Sequence, residues 1–351
     1  MVKRFNFNIQ FIFSIFCIII ICSCTEKKNS NINLDPKPLN QILNRYVENG
    51  TWPFLYSKIV NGLNGKVVYE HLAINKVLLP STSITGSTWM RIWSMSKLIT
   101  ISLAMDLMED GLLHIDDPVP KYIPEFSDLM VAVDADSKSI ASSERKKFDC
   151  PHGLVKLDSI MTVKHLLNHR AGFYYALTSS QCLNDGLASK NILQIENGDQ
   201  LIDILSTLPL IQQPGEGYKY GMNTSVLGLL LERVTGKSLS NIFVDRVKKS
   251  YNLKGLDYIK PEGVNLLPTF TGRDGILRKV FDGELDIFGG EVPEYSKNNH
   301  LFLGGEGMLG TADGYIDFMR LLFFKDGNIF LEEETVRKMS SKPDVEENDY
   351  G

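Results

Sequence analysis

Ser94 and Lys97 are the two residues of this sequence whose types and spacing most directly indicate chemistry. On a helix, side chains at positions i and i+3 lie on one face about one turn apart, so this spacing places a hydroxyl beside an amine. A serine hydroxyl becomes an effective nucleophile when a base removes its proton. Burial favours the neutral amine of a lysine, which can act as that base. Residues 98–108 are apolar almost all round, which predicts a buried helix with Lys97 near its start.

The local pattern alone leaves two interpretations open. Ser94 could instead be the N-cap of the helix, with Lys97 extending its amine towards solvent. The chain also contains a second Ser-x-x-Lys match at Ser143 and Lys146, inside a polar run at residues 134–147. No apolar helix follows that second match, and we interpret it as a solvated loop.

A tyrosine in the middle of the chain is the third candidate. Residues 214–220 contain a Pro-Gly turn and end at Tyr220. Residues 226–236 form an amphipathic segment that ends in Gly236, which predicts a helix shortly after the turn. A tyrosine in a loop before a helix can point its hydroxyl into a cleft, although such a residue often only fills a core.

The Ser-Lys pair and the tyrosine segment, in this order, resemble the serine β-lactamase and penicillin-binding protein superfamily. The similarity is greatest to the class C β-lactamase-like branch, with its esterases and D-amino-acid peptidases, and it runs over residues 60–339. Three further stretches carry it: residues 110–119, 161–173 and 303–315. The resemblance implies an α+β, β-lactamase/transpeptidase-like fold. An antiparallel sheet lobe would join an all-α lobe, with Ser94 at the seam between them.

The resemblance also implies roles for individual residues. Ser94 would be the nucleophile that forms an acyl-enzyme, and Lys97 would be its base or proton relay. Tyr220 would share the proton transfer when the leaving group departs. Gly304 and Gly305, which let the backbone pass close to the cleft, are expected to contribute to substrate binding. The family requires no metal ion and no organic cofactor.

One departure from the family pattern concerns the residues after the tyrosine. The β-lactamases of this branch carry Asn two residues after it, where the amide orients a β-lactam or a peptide. Here that position is Met222, and the nearest amide is Asn223, which could partly substitute. We include both residues in the expected substrate-binding set. The departure favours esterase or D-amino-acid peptidase activity over efficient β-lactamase activity.

A second departure concerns the C-terminal part of the sequence. The family places a Lys-Thr-Gly or His-Thr-Gly triplet on a late strand that supplies one amide of the oxyanion hole, and no such triplet follows Gly310. The C-terminal strands are therefore expected to be missing from this chain. Loss of one oxyanion donor typically costs roughly 3 kcal/mol of transition-state stabilisation.

The histidines are further candidates for chemistry. His165 and His169 are four residues apart, which predicts that they share one helix face and could suit a metal. No Glu or Cys occurs at ligand spacing, so we expect structural roles for both, and also for His114.

The N-terminal region indicates export. Lys3 and Arg4 precede an apolar run at residues 11–22, the pattern of a secretory signal. That run is shorter than the ~20 residues that a membrane span needs. Residues 21–24 resemble the lipobox of bacterial lipoproteins, with Cys24 as the lipidated residue.

The predicted organisation is a signal peptide at residues 1–23, a polar tether at 24–40 and a hydrolase domain at 41–351. Ordinary signal cleavage near Ser23 is the alternative to lipidation. The lipid anchor would hold the protein in the bacterial cell envelope, on the periplasmic side or at the outer membrane. Cys150 and Cys182 remain after processing, and in that compartment they could form a disulfide or stay free.

The coarse secondary-structure pattern agrees with an α+β fold. Residues 54–60 and 66–71, separated by an Asn- and Gly-rich turn, predict a hairpin. Helices are predicted to dominate residues 161–248, and residues 251–300 to form an irregular excursion over the cleft.

The sequence predicts a monomeric cell-envelope serine hydrolase. It would act on an ester, an amide or a β-lactam, taken from small molecules or from peptidoglycan. A non-catalytic peptidoglycan-binding lipoprotein is the alternative. The formal net charge of −5, without a basic patch, argues against a nucleic-acid partner.

Overall fold

The computed structural model describes residues 34–143, 150–192, 195–272, 274–281, 284, 295–324 and 330–341. The predicted signal peptide, Cys24 and most of the predicted tether lie outside these residues. So do Lys146 of the second Ser-x-x-Lys match and the C-terminal residues 342–351. The architecture described here belongs to the unit Pro36–Gly351.

Helices and antiparallel strand pairs both contribute to this unit, as expected for an α+β fold. The helices are α1 (Lys37–Glu48), α2 (Ser96–Glu109), α3 (Val163–Leu167), α4 (Gln181–Ala188), α5 (Gly198–Ser206), α6 (Asn223–Thr235), α7 (Leu239–Phe243), α8 (Ala312–Phe323) and α9 (Glu333–Met339). The strands are β1 (Phe54–Val60), β2 (Val67–Ile74), β3 (Met90–Arg91), β4 (Met130–Val133), β5 (Gly153–Lys156), β6 (Leu256–Asp257), β7 (Phe270–Thr271), β8 (Arg278–Lys279) and β9 (Leu309–Gly310).

The predicted N-terminal hairpin is confirmed as the antiparallel pair β1–β2. Its connecting turn is held by Asn61, whose side-chain oxygen accepts hydrogen bonds from the backbone N–H groups of Leu63 and Asn64. Helix α1 lies against β2, where the Tyr69 hydroxyl donates to Asn40 Oδ1 at 2.7 Å. The first helix therefore packs as a second layer on the hairpin.

A small sheet fixes the start of helix α2. Strand β9 lies between β3 and β6 and pairs antiparallel with both. Strand β3 ends two residues before the 3₁₀ turn Trp93–Met95, which leads directly into α2. The segment that carries Ser94 is thereby attached to the Gly-rich turn that precedes β9.

Two largely buried helices form the centre of the core. Ile99, Leu103 and Leu107 of α2 are fully buried, as are Val226 and Leu230 of α6. The two helices pack against each other, and burial on every side explains why neither has a wide polar face. This packing sets the positions of the residues at the N-terminal ends of both helices, where the candidate site lies.

The remaining predictions of secondary structure also agree with the structure. Helices α3 to α7 occupy the region predicted to be helical. In the described part of residues 251–300, the strands β6, β7 and β8 are each only two residues long. Within the described ranges, no helix combines the length and apolar character that crossing a bilayer requires.

Cys150 and Cys182 are joined in a disulfide, with their Cα atoms 5.0 Å apart. The bridge links the chain just before β5 to the first turn of α4. Of the two alternatives that the sequence left open for these thiols, the structure has the disulfide.

Candidate active site

The structure brings together the three residues predicted to be catalytic. Lys97 Nζ donates a hydrogen bond to Ser94 Oγ at 3.3 Å, and the Tyr220 hydroxyl donates to the same oxygen at 2.6 Å. Ser94 is exposed, Tyr220 is 48% exposed and Lys97 is only 8% exposed. A solvent-accessible hydroxyl is thus held between a buried amine and a phenol that can reach a bound molecule.

Ser94 lies in the 3₁₀ turn before α2 and not in the α-helix itself. The residue before it, Trp93, has a left-handed backbone with φ of 46°, which costs of order 1–3 kcal/mol for a non-glycine residue. Ser96 holds this turn in place. Its hydroxyl donates to the carbonyl of Trp93 at 2.7 Å and accepts from the N–H of Met308 at 3.2 Å. The nucleophile therefore sits on a strained turn that side-chain hydrogen bonds stabilise.

Lys97 is surrounded by oxygen atoms from three parts of the chain. Besides Ser94, its amine donates to the carbonyl of Gly305 at 2.9 Å and to the Tyr175 hydroxyl at 3.3 Å. The amine also lies 4.8 Å from the centre of the Tyr220 ring. The buried amine predicted from the sequence therefore lies in a polar environment, with three hydrogen-bond acceptors around it.

A buried carboxylate completes these surroundings. Glu306 is 2% exposed and approaches Lys97 Nζ to 3.9 Å. Its oxygens accept hydrogen bonds of 3.1 Å from the hydroxyls of Tyr175 and Ser225. Burial raises the pKa of Glu306, while Lys97 and these hydrogen bonds oppose that rise. Sequence reasoning missed this residue, although an acid inside an otherwise apolar, Gly-rich turn was a signal that could have found it.

Two tyrosines near Lys97 have different environments. Burial, and then the charge of Glu306, raise the pKa of Tyr175, which therefore keeps its proton and bridges Lys97 and Glu306. Tyr220 is half-exposed and contacts the nucleophile directly. Tyr175 thus belongs to the buried network, and Tyr220 lies at the solvent-accessible side of the site, in contact with Ser94.

His169 makes three contacts that hold Tyr220 and its two chain neighbours in place. Its ring stacks on the Tyr220 ring with centroids 5.0 Å apart. Its carbonyl accepts from the N–H of Lys219 at 2.8 Å, and its Nδ1 accepts from the N–H of Gly221 at 3.4 Å. Burial, and then the charge of Lys97, lower the pKa of His169 to about 4. The ring is therefore neutral near pH 7.

The prediction that His165 and His169 share one helix face is wrong. Helix α3 ends at Leu167, and His169 follows in a left-handed turn with φ of 53°. His165 stays on α3, where its Nδ1 accepts from the N–H of Thr162 at 3.1 Å and caps the helix. Both residues have structural contacts, as expected, but those of His169 reach the site.

Met222 and Asn223 do not lie beside Ser94 on the exposed side of the site. Met222 is part of the hydrophobic core. The Asn223 side chain is fully buried, donates to the carbonyls of Phe173 and Lys219 and accepts from the N–H of Ala171. Its amide therefore holds the loops around Tyr220 together, and it is not available to a bound molecule in this arrangement.

Gly304 and Gly305 lie under the site, where the backbone passes close to α6 and Lys97. A Cβ at Gly304 would lie 2.6 Å from the carbonyl oxygen of Thr224. A Cβ at Gly305 would lie 2.6 Å from the Ser225 hydroxyl and 3.3 Å from Lys97 Nζ. A side chain at either position would therefore clash with the buried network, and the expected role of these glycines in substrate binding stays a prediction.

We expect His169→Asn to lower kcat by roughly ten- to a hundredfold with little change in KM, because Tyr220 would lose its stacking partner. Asparagine tolerates a left-handed backbone, so the turn should be kept. Steady-state kinetics on an ester, with circular dichroism to check folding, would measure this. The matched control is His165→Asn, which changes a histidine that does not contact Tyr220 and should keep kcat. Equal losses in both variants would contradict a specific role of His169.

The lowered pKa of His169 predicts a pH dependence of stability. The unfolded chain binds this proton near pH 6.5 and the folded chain only near pH 4, so the contribution is complete above pH 6.5 and is lost as the pH falls towards 4. The loss amounts to at most about 3 kcal/mol. Urea unfolding of wild type and His169→Asn across this range should give a steeper pH dependence for wild type. Parallel curves would show that His169 does not titrate in this way.

The sequence is similar to fungal proteins named as an acyltransferase and as an esterase. The chain is 26% identical to Acyltransferase mokF of Monascus pilosus, over 71% of this chain and 56% of that protein. It is 26% identical to Lovastatin esterase of Penicillium rubens, over 76% of this chain and 65% of that protein. The chain thus spans less than two thirds of the length of these curated relatives.

A solved structure and a family model agree on the architecture. Simvastatin synthase (LovD) from Aspergillus terreus superposes with a TM-score of 0.66 at 21% identity, over 90% of this chain and 74% of that one. At this identity the likeness concerns the fold. The family model described as Beta-lactamase matches residues 59–349. Since this match includes most of the sequence and every residue of the site above, the chain belongs to the β-lactamase family.

Proposed function

We propose that this chain transfers acyl groups from esters to water, or to another alcohol, through a covalent acyl-Ser94 intermediate. The observation that carries the proposal is the exposed Ser94 Oγ, within hydrogen-bond reach of both Lys97 and Tyr220. A nucleophile that is accessible and lies beside two groups able to take its proton is the arrangement that acyl transfer requires.

The first half-reaction forms the acyl-enzyme. Ser94 Oγ bonds to the ester carbonyl carbon while its proton passes to the Tyr220–Lys97 pair. The pair accepts this proton in the form that lacks one proton, with either a neutral Lys97 amine or a Tyr220 phenolate. The N-terminal end of α2 lies next to the reacting oxygen and favours the negative charge that develops on the carbonyl oxygen. The bond to the alcohol oxygen then breaks, and that oxygen takes the proton back from the exposed Tyr220.

The second half-reaction releases the acyl group. Water, or a second alcohol, gives its proton to the Tyr220–Lys97 pair and bonds to the acyl carbon. The bond to Ser94 Oγ breaks and the serine recovers its proton. The buried Tyr175 and Glu306 hold Lys97 in place throughout and exchange no proton with the substrate.

Three observations favour an ester over a β-lactam or a peptide. Met222 stands where an amide would orient a β-lactam or peptide bond, and its side chain is buried. Asn223 is engaged with protein groups. The relatives include proteins named as an acyltransferase and an esterase. A catalytic role also explains the exposed nucleophile better than a non-catalytic binding role does.

Labelling with a fluorophosphonate and hydrolysis of 4-nitrophenyl butyrate test this function. Ser94→Ala should abolish labelling and lower kcat on the order of 10⁴-fold or more, because the covalent route is removed. Lys97→Met and Tyr220→Phe should each lower kcat by about 10²- to 10⁴-fold, because proton transfer is impaired. The control is Ser143→Ala, in the second Ser-x-x-Lys match, which should behave as wild type. Full ester hydrolysis by Ser94→Ala would overturn the proposed mechanism.

We further propose that the protein is exported and held in the bacterial cell envelope by a lipid on Cys24. The charged start, the apolar run and the Cys24 motif support export. The Cys150–Cys182 disulfide fits an oxidising compartment outside the cytoplasm.

Incorporation of radiolabelled palmitate in bacteria that express the full chain tests the anchor. Wild type should incorporate label, and Cys24→Ser should incorporate none because the acylated sulfur is gone. Cys22→Ser is the matched control and should keep the label. If the label persists in Cys24→Ser, the proposed lipidation site is wrong.

A further inference from the structure

A cavity of about 560 Å³ lies beside Trp93, the first residue of the 3₁₀ turn that carries Ser94. Its walls come from the loop at residues 50–54, from strand β3 and Trp93, and from the segment around β7. Trp93 directly precedes Ser94 in the same 3₁₀ turn. One wall of the cavity is therefore the residue next to the nucleophile.

The lining of this cavity combines large apolar side chains with glycine, proline and threonine residues and one arginine. The large apolar side chains on its walls are Trp52, Phe54, Met90, Trp93, Leu267, Phe270 and Leu277. Trp52 is one of the large hydrophobic residues that remain half-exposed in the described part of the chain. Exposed aromatic surface that lines a cavity of this size is typical of sites that bind apolar groups of small molecules.

Arg91 is the one charged residue among the described residues that line the cavity. Within the described ranges its guanidinium forms no ion pair and no side-chain hydrogen bond, and lies 5.7 Å from the ring centre of Tyr295. The hydroxyl of Tyr295 is itself buried and has no hydrogen-bond partner in the described part of the chain. A guanidinium has five N–H donors in a planar fork that matches a carboxylate.

We propose that this cavity binds the acyl chain of the substrate and that Arg91 pairs with a carboxylate at the far end of that chain. The substrate class is thus an ester of an apolar dicarboxylic acid, attacked at one end by Ser94. The acyl chain is the part of a substrate that stays bonded to Ser94 through both half-reactions, so a cavity walled by Trp93 suits it best. The assignment of the cavity to the acyl chain rests on the proposed acyl transfer. The binding of a carboxylate by Arg91 does not depend on it.

A matched pair of esters tests the substrate class with the full chain. The pair is the mono-4-nitrophenyl ester of octanedioic acid and 4-nitrophenyl octanoate, which differ in the terminal carboxylate. Wild type should favour the first in kcat/KM, and Arg91→Met should lower this preference about tenfold or more, because a charge-assisted hydrogen bond is lost. Arg91→Lys should keep part of the preference. An equal preference in wild type and Arg91→Met would overturn the proposal.

The control variant is Arg45→Met. Arg45 lies 5.9 Å from the ring centre of Tyr46, much as Arg91 lies beside Tyr295, but it does not line the cavity. Its loss should leave the preference unchanged. A second pair, phenyl octanoate and 4-carboxyphenyl octanoate, places the carboxylate on the alcohol instead. If Arg91→Met changes the preference only within that pair, the assignment of the acyl chain to the cavity is wrong.

Calorimetric titration with octanoate separates this inference from the proposed function. Octanoate should bind wild type, and Arg91→Met should weaken that binding about tenfold or more. If wild type hydrolyses no ester but octanoate binds in an Arg91-dependent way, the proposed function fails and the carboxylate site stands. If octanoate does not bind, or binds both proteins equally, the carboxylate site is wrong whatever the activity.

Discussion

The burial of Lys97 is the constraint on which the rest of the site depends. A buried amine is costly unless its hydrogens find acceptors, and here the acceptors come from the nucleophile turn, from the loop of Tyr175 and from the Gly-rich turn at Gly305. Glu306 supplies the opposite charge from the same Gly-rich turn. Removing one partner of a buried ion pair typically costs about 3–5 kcal/mol. The interactions that arrange the catalytic groups therefore also hold three distant segments of the fold together.

The site has a buried side and a solvent-accessible side. Tyr175 and Glu306 lie behind Lys97, exclude water from it and fix its position. Tyr220 lies on the solvent-accessible side, between the stacked ring of His169 and the amine of Lys97. His169 is neutral near pH 7, so the stacked imidazole adds no positive charge next to the phenol. A negative charge that develops on Tyr220 during proton transfer is thus stabilised from one direction.

Local sequence patterns predicted the parts of this molecule that depend on local structure. The Ser-x-x-Lys spacing, the hairpin and helix α6 belong to this group. Tyr175 and Glu306 are 131 residues apart in the sequence and meet only in the folded chain, so no periodicity marks them. The prediction for His169 was wrong because α3 ends two residues earlier, at Leu167. That end depends on tertiary contacts of the His169 turn, which spacing alone cannot supply.

Met222 and Asn223 connect the architecture to the choice of substrate. Because α6 begins at Asn223, its first residues turn into the core, where Met222 adds apolar volume and Asn223 satisfies backbone groups of the neighbouring loops. An amide in place of Met222 would itself need buried partners. Asn223, which could otherwise have recognised a substrate amide, instead holds the loop of Tyr220 in place. Under the proposed acyl transfer, recognition has to come from another surface near Ser94, and the cavity beside Trp93 is such a surface in the described part of the chain. This arrangement agrees with the proposal that substrates are recognised through an apolar chain and not through a peptide or lactam amide.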